Sequence, residues 1–201
     1  MTRKIIVWDM DEVITNTRDP ICNILAPSIG VKTCWQNWKN SQEIYKELGH
    51  TNPADSIRLL IEHRIIETCK PENNAYETLK AATELGYTNI IVTARGWHPN
   101  PYDVSWAWLK EHNLSQFIYK LVVVPVFGQK FRALESIRFN LGEICLFVED
   151  TYNNLLDTLV LSSFKVKNYA LMDRPWNQNV DVRNLPITRI HDLLEIKSLL
   201  V

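Results

Sequence analysis

Two aspartates separated by one residue follow the first apolar run of the sequence. Residues 5–8 read Ile-Ile-Val-Trp, and the chain continues from Asp9 as Asp-Met-Asp-Glu-Val-Ile. Two carboxylates held close together repel each other, so a bound cation, a shared proton or a basic neighbour must compensate. A fold gains no stability from this repulsion alone. The spacing of Asp9 and Asp11 therefore indicates a functional site.

Other polar residues follow later apolar runs in the same way. Thr93 ends one run, and Glu149 and Asp150 end another, while Lys130 opens a predicted helix between them. Mg²⁺ prefers oxygen ligands and is bound by a few carboxylates together with substrate phosphates. A hydroxyl and a lysine can bind phosphate oxygens and offset their charge. This set of residue types therefore suits phosphoryl chemistry.

Strands and helices alternate along most of the chain. Apolar runs rich in β-branched residues predict strands at 5–8, 89–92, 120–124, 144–148 and 164–170. Helical spacing of apolar residues predicts helices at 72–85, 102–112, 131–140 and 154–161. This alternation implies right-handed βαβ units, and so an α/β fold with a Rossmann-like, mainly parallel sheet flanked by helices. The carboxyl ends of parallel strands share one edge, which would bring the polar residues together.

Residues 15–71 interrupt this alternation. Their apolar pattern is weaker, helical pieces are predicted at 41–48 and 53–68, and no clear strand is expected. We interpret the segment as a small helical insertion after the first strand, lying over the sheet edge.

Composition narrows the classes of protein that are compatible with the chain. The 201 residues can form one sizeable core, and a formal net charge of −1 provides no global basic field for nucleic acid. No apolar run approaches the length of a membrane span, and the N-terminus leaves no room for an export signal. The four cysteines lack metal-ligand spacing, so we expect free thiols in the cytoplasm. The oligomeric state stays undetermined.

The order of the polar motifs resembles that of the haloacid dehalogenase-like (HAD) phosphohydrolases. Residues 9–13 (Asp-Met-Asp-Glu-Val), Thr93, Lys130 and the pair 149–150 resemble the four motifs of that family. A conjunction of four motifs is more specific than any single one. The resemblance implies a HAD-like catalytic core at 1–14 and 72–201, with 15–71 as a helical cap.

The resemblance also implies a role for each matching residue. Asp9 would be the nucleophile that forms an aspartyl-phosphate, and Asp11 would protonate the leaving alcohol and later activate water. Thr93 and Ala94 would bind the phosphoryl group, and Lys130 would pair with it and with Asp9. Lys120 is a rival for this basic position, but the spacing to the acidic pair favours Lys130.

A Mg²⁺ ion is the cofactor that the resemblance implies. Its ligands would be Asp9, the backbone carbonyl of Asp11, and Asp150, with Glu149 beside the ion or one step removed from it. Glu12 stands where such families usually have glycine. We expect its carboxylate to add negative charge beside the site and to affect the approach of substrate.

The substrate is predicted to be a small phosphorylated molecule, most specifically a (deoxy)nucleoside monophosphate. Residues 173–177 (Asp-Arg-Pro-Trp-Asn) resemble a segment of the 5'(3')-deoxyribonucleotidase-type members of the family. Trp97 and Trp176 are candidate substrate contacts, because aromatic faces can stack on a nucleobase. Arg95 is a further candidate: it could bind a substrate phosphate or base, or pair with an acid at the surface.

Two alternatives differ in class from a nucleotidase. The turn from Thr93 to Arg95 is loosely similar to that of the 3'-phosphatases in polynucleotide kinase-phosphatases, which act on nucleic-acid ends. The charge balance argues against a nucleic-acid substrate, because binding a polymer backbone needs a track of lysines and arginines. The other alternative is a HAD-fold binding module without catalysis. A binding module would not need the complete set of acids and lysine.

Overall fold

The computed structural model describes residues 2–39, 46, 53–125 and 129–200. The strands are β1 Arg3–Trp8, β2 Thr15–Asn16, β3 Lys70–Pro71, β4 Thr88–Thr93, β5 Ile118–Val123, β6 Gly142–Glu149, β7 Asn168–Met172 and β8 Ile187–Ile190. Six of them form one sheet in the order β5-β4-β1-β6-β7-β8, with all neighbours parallel. The predicted α/β class with a parallel sheet is therefore confirmed.

Helices flank the sheet and fill the segment after β1. The helices are α1 Arg18–Pro20, α2 Ala26–Ser28, α3 Pro53–Glu62, α4 Ile65–Thr68, α5 Ala75–Glu84, α6 Pro101–Glu111, α7 Lys130–Asn140 and α8 Tyr152–Leu161. A π-helical turn, Ile21–Leu25, joins α1 to α2. Short 3₁₀ segments occur at Trp35–Asn37, Ser115–Phe117, Pro175–Asn177 and Leu193–Leu199. Among the described residues, no helix is long and apolar enough to cross a membrane.

The central strand β1 is buried on both faces. Ile6 and Trp8 belong to one apolar cluster, and Ile5 and Val7 belong to another. Because side chains alternate along a strand, these clusters lie on opposite sides of the sheet. Residues of α5 and α6 complete the first cluster, and residues of α7 and α8 complete the second. This burial explains why β1 is a continuous apolar run.

Four details of the prediction were wrong. β7 begins at Asn168 rather than 164, and β8 was not predicted because it is a short edge strand whose two middle residues are polar. Segment 15–71 was expected to lack strands, yet its ends form the antiparallel pair β2–β3. The helix predicted at 53–68 is divided because Arg64 has a left-handed conformation, with φ of 53°.

The insertion after β1 has an apolar cluster of its own. Its buried members are Ile21, Leu25, Ala26, Trp38, Leu59 and Ile65. The predicted helical piece at 41–48 lies, apart from residue 46, outside the described residues. The division of the chain into a core and a cap stays a prediction.

Candidate active site

The carboxyl ends of β4, β1 and β6 lie side by side at one edge of the sheet. Trp8 pairs with Ile91 of β4 and with Val148 of β6, so the residues that follow in each strand share one level. The Asp9 N–H donates to the carbonyl of Val148 at 2.9 Å. The chain runs from β1 to β4 on one side and returns to β6 on the other. In parallel sheets this reversal of strand order opens the crevice where ligands bind.

Lys130, at the start of α7, lies between two carboxylates of this edge. Its ammonium is 2.6 Å from Asp9 Oδ1 and 2.5 Å from Glu149 Oε1, and the side chain is buried. Burial opposes the positive charge, but the two carboxylates outweigh it and raise the pKa of Lys130. Lys120 is exposed on β5. The structure therefore brings Lys130, and not its rival, to the aspartate.

Glu149 uses both of its carboxylate oxygens within the protein. Oε1 accepts from Lys130 and, at 2.6 Å, from Asn154 Nδ2. Oε2 accepts from the backbone N–H groups of Asp150 and Thr151 at 2.9 and 2.8 Å. Burial raises the pKa of Glu149, but Lys130 and these hydrogen bonds lower it overall. This arrangement suits a residue that fixes the position of Lys130.

Asp150 is held from the 3₁₀ turn Pro175–Asn177. Trp176 Nε1 donates to Asp150 Oδ2 at 2.9 Å, and Asn177 Nδ2 donates to the Asp150 backbone carbonyl at 2.8 Å. Burial, together with the charges of Glu149 and Asp9, raises the pKa of Asp150 well above its usual range. The neutral indole N–H orients this carboxylate without cancelling its charge.

Asp9, Glu149 and Asp150 have the composition and spacing of a cation site. One carboxylate oxygen from each lies within 4.8 Å of the others, and all three residues are buried. Burial and the charge of Glu149 raise the pKa of Asp9 to about 8, although Lys130 acts in the opposite direction. One ammonium does not balance three carboxylates. A hard divalent cation such as Mg²⁺ fits this donor set. Asp9 and Asp150 would be its ligands, because both oxygens of Glu149 already accept hydrogen bonds within the protein.

Thr93 presents a buried hydroxyl at the same edge. Its side chain is fully buried, and Oγ1 has no hydrogen-bond partner in the described part of the chain. A buried hydroxyl without a partner costs free energy, and at this edge of the sheet a bound ligand could supply the partner. A phosphoryl oxygen would meet this need. Ala94, the next residue, is also buried at this strand end.

Arg95 pairs with an acid, which is one of the two roles that the sequence left open, but that acid is Asp11 of the site. It was a candidate for binding substrate or for pairing with an acid at the surface, but it is 0 % exposed. Its Nε donates to Asp11 Oδ2 at 2.9 Å, its Nη2 contacts Asp11 Oδ1, and its Nη1 donates to Ser105 Oγ at 3.0 Å. The guanidinium pairs with Asp11 because the loop after β4 brings it to residues 9–11, the DxD segment. In this structure, all three nitrogens of the guanidinium face protein groups.

Glu12 also points away from the site. Its carboxylate accepts from the N–H groups of Thr17 and Arg18 at 2.9 and 3.0 Å, and it forms an ion pair with Arg18. Its backbone carbonyl accepts from Arg174 Nη2 at 2.7 Å. Arg18 offsets much of the Glu12 charge at the base of the insertion, although that charge still contributes to the raised pKa of Asp150. The effect of Glu12 on the approach of substrate stays a prediction.

The two candidate tryptophans differ in what surrounds them. Trp97 is half-buried and its ring lies edge-on to His98, with ring centroids 5.9 Å apart. Trp176 donates to Asp150 and packs against the apolar cluster of the insertion. Its indole N–H is therefore engaged at the acidic cluster rather than left for a nucleobase.

Several residues of the site carried no signal that sequence reasoning could have used. Thr15 Oγ1 donates to Asp11 Oδ1 at 3.1 Å, and Ser105 reaches Arg95 from α6. Asn154 and Asn177 support the acidic pair from two different elements. Single serines, threonines and asparagines are common in turns and helix starts. Only Asn177 stood in a segment that the sequence had singled out.

Comparison with solved structures gives the class of fold: its structural neighbours are HAD-superfamily hydrolases. A predicted phosphoglycolate phosphatase from Haemophilus somnus 129pt superposes with a TM-score of 0.65 at 14% identity, covering 98% of each chain. A HAD-superfamily hydrolase of subfamily IA, variant 1, from Geobacter sulfurreducens PCA gives 0.62 at 13% identity, covering 99% of this chain and 97% of that one. A HAD phosphatase from Thermococcus onnurineus gives 0.60 at 15% identity, covering 98% and 97%.

The likeness is one of fold. No protein-family model matches the sequence, and no curated protein matches it. At this level of identity, function has to be argued from the site itself.

Proposed function

We propose that this protein is a Mg²⁺-dependent phosphoric monoester hydrolase that uses Asp9 as its nucleophile. The observation that carries the proposal is the buried contact of Asp9 with Lys130, at 2.6 Å, beside the unpartnered hydroxyl of Thr93 and the carboxylate of Asp150. The HAD phosphatase and hydrolases among the structural neighbours support the same class of reaction. A binding module would have no use for the whole set.

In the first half-reaction, a carboxylate oxygen of Asp9 attacks the phosphorus atom, and the bond from phosphorus to the ester oxygen breaks. Burial raises the pKa of Asp11, but its pairing with Arg95 lowers the pKa overall, so the acid form is the less populated one. That form gives its proton to the leaving alkoxide. Lys130 and the Thr93 hydroxyl bind phosphoryl oxygens and stabilise their charge. The product is an alcohol and a phosphoryl group on Asp9.

In the second half-reaction, the carboxylate of Asp11 takes a proton from water, and the water oxygen attacks the phosphorus atom. The bond from phosphorus to Asp9 breaks and releases inorganic phosphate. Mg²⁺, bound by the carboxylates of Asp9 and Asp150 and the backbone carbonyl of Asp11, would neutralise charge on the phosphoryl oxygens throughout. Glu149 keeps Lys130 in place and takes no part in proton transfer.

For the substrate we propose a nucleoside monophosphate. The support is the half-buried Trp97, four residues after Thr93, and the likeness of residues 173–177 to deoxyribonucleotidase-type enzymes. Trp176 and Asn177 in that segment hold Asp150, which gives them a role independent of any base. Phosphoglycolate is the rival small substrate, since one structural neighbour is described as a predicted phosphatase for it.

The four free cysteines support a reducing compartment such as the cytoplasm.

The test is phosphate release from a panel of phosphate esters, with Mg²⁺ and with EDTA. The panel contains nucleoside 5'- and 3'-monophosphates, phosphoglycolate, a sugar phosphate and a 3'-phosphorylated oligonucleotide. We expect Mg²⁺-dependent turnover that is fastest with mononucleotides and abolished in Asp9→Asn. No turnover of any ester would overturn the enzymatic proposal. Preference for phosphoglycolate, or salt-sensitive turnover of the oligonucleotide, would overturn the nucleotide assignment alone.

A further inference from the structure

All three guanidinium nitrogens of Arg95 contact either Asp11 or Ser105. Two of its nitrogens face the two carboxylate oxygens of Asp11, in the fork geometry that makes arginine–carboxylate contacts directional. Its third nitrogen donates to Ser105 of α6 at 3.0 Å. Thr15 Oγ1 adds a donor to Asp11 Oδ1 at 3.1 Å. The Asp11 carboxylate therefore has one fixed direction.

The contacts of Arg95 with Asp11 and Ser105 are an inefficient way to stabilise the fold. Arg95 is 0 % exposed, while the Asp11 side chain, at the carboxyl end of β1, is 34 % exposed. Burying a guanidinium carries a large desolvation cost, and apolar residues of similar volume often stabilise a core equally well. The Arg95 guanidinium holds the Asp11 carboxylate from the buried side, and the partly exposed carboxylate remains accessible from the site.

We propose that Arg95 is a positioning residue for the proton transfers of Asp11. The inference rests on the proposed function, since Asp11 has a proton to transfer only if the site cleaves phosphate esters. Arg95 acts through Asp11 and does not touch the substrate. The same strand end then supplies both Thr93 for the phosphoryl oxygens and Arg95 for the acid–base group, two residues apart.

The leaving group provides a direct readout of this role. Phenolate is a strong enough base to need a proton as it leaves, whereas p-nitrophenolate leaves readily without one. The value of kcat/KM reports steps up to the first irreversible one, which is cleavage of the bond from phosphorus to the ester oxygen. A misplaced Asp11 should therefore slow phenyl phosphate and spare p-nitrophenyl phosphate.

The experiment compares Arg95→Lys with the wild type on these two esters. Lysine keeps the positive charge but cannot reproduce the fork. We expect kcat/KM to fall by about 10- to 100-fold with phenyl phosphate and by less than about threefold with p-nitrophenyl phosphate. Arg183→Lys is the matched control, because Arg183 forms a similar fork with Asp181 at the exposed surface. It should leave both values unchanged.

A double mutant separates positioning from general damage. If Arg95 works only through Asp11, then Arg95→Lys should change kcat/KM for phenyl phosphate by less than about twofold when Asp11→Asn is already present. Ser105→Ala removes only the third contact of the guanidinium. It should produce the same pattern with a smaller loss, which provides the answer if Arg95→Lys does not fold.

Each result has a definite meaning. Equal losses on both esters, an equal loss in the Asp11→Asn background, or no loss at all would overturn the positioning role while leaving the proposed function intact. If the wild type hydrolyses neither these two esters nor any member of the panel described above, the proposed function falls and this inference falls with it. Selective loss on phenyl phosphate, absent from the double mutant, supports the assignment.

Discussion

At the scale of single residues, the site is defined by polar groups whose charge or hydrogen-bonding capacity the described residues do not satisfy. Three carboxylates cluster here, only two of them contact the Lys130 ammonium, and the Thr93 hydroxyl has no partner among the described residues. Such groups cost free energy in the unliganded protein, and a bound phosphate with its cation would satisfy them together. Single substitutions can therefore separate stability from activity.

Thr93→Val should stabilise the protein and impair it as an enzyme. The change removes a buried hydroxyl that lacks a partner, so we expect the free energy of unfolding to rise by about 1 kcal/mol. Loss of a phosphoryl contact should lower kcat/KM by roughly 10- to 100-fold. Urea unfolding and steady-state kinetics measure the two effects.

Thr78 offers a matched control for this change. Its hydroxyl is also buried without a partner among the described residues, but it lies in α5. Thr78→Val should stabilise the protein to a similar extent and leave turnover unchanged. A loss of activity in both variants would contradict a specific role for the Thr93 hydroxyl.

Trp176→Phe should lower the affinity for Mg²⁺ and have a smaller effect on the free energy of unfolding. Phenylalanine retains a ring to pack against the cluster of the insertion but lacks the N–H that orients Asp150. Partners of this kind typically contribute about 10-fold or more to metal affinity. Calorimetric titration with Mg²⁺ measures the change directly. Trp106→Phe, whose ring stacks on Tyr102, is the control, and equal affinities in both variants would exclude this role.

At the scale of elements, the junction between β1 and the insertion is held by buried charges. Glu12 has φ of 62°, a conformation that favours glycine, and it forms an ion pair with Arg18. Arg18 also reaches Glu72, on the other side of the insertion, at 2.7 Å. The strain at Glu12 is thus offset by a network that joins both ends of the inserted segment.

Glu12→Gly tests which of these two terms is larger. Glycine relieves strain of about 1 kcal/mol, whereas removing one partner of a buried ion pair costs about 3 kcal/mol or more. We expect net destabilisation by roughly 2 kcal/mol, measured by urea unfolding. Asn113→Gly is the control, since Asn113 has φ of 57° at an exposed position. It should be neutral or slightly stabilising, and equal effects of the two changes would contradict a structural role for Glu12.

At the scale of the whole molecule, the acidic cluster makes stability depend on pH and on the cation together. Folding raises the pKa of Asp9 to about 8, while an unfolded aspartate has a pKa of about 4. Between these values the folded state binds a proton that the unfolded state does not, so the contribution of Asp9 to stability falls as pH rises. Mg²⁺ would reverse this loss at high pH.

The prediction compares wild type with Asp9→Asn in EDTA. Asparagine cannot ionise, so the variant should become progressively more stable than the wild type as pH rises from about 5 to about 8. Adding Mg²⁺ should raise the Tm of the wild type more at the higher pH. Thermal unfolding at a series of pH values measures both trends. A difference in stability that does not change with pH would contradict the assigned pKa.

Local pattern was sufficient for the architecture and for most of the site. The continuous apolar character of β1, β4 and β6 predicted strands buried on both faces, and the residues that end them were recognisable at fixed places along the chain. β8 was not predicted, because the hydrophobic pattern of a four-residue edge strand is too short to distinguish it from a loop.

The sequence by itself determined the α/β class and the set of acids, threonine and lysine that meet at the edge of the sheet. The tertiary structure alone decided what each polar side chain faces. Arg95 could have faced solvent or substrate, and Glu12 could have faced the crevice; the fold turned one to Asp11 and the other to Arg18. The physical reason is that burial and charge pairing depend on neighbours brought together from distant parts of the chain. Asp11 and Arg95 are 84 positions apart, and only the packing of β4 beside β1 brings them into contact.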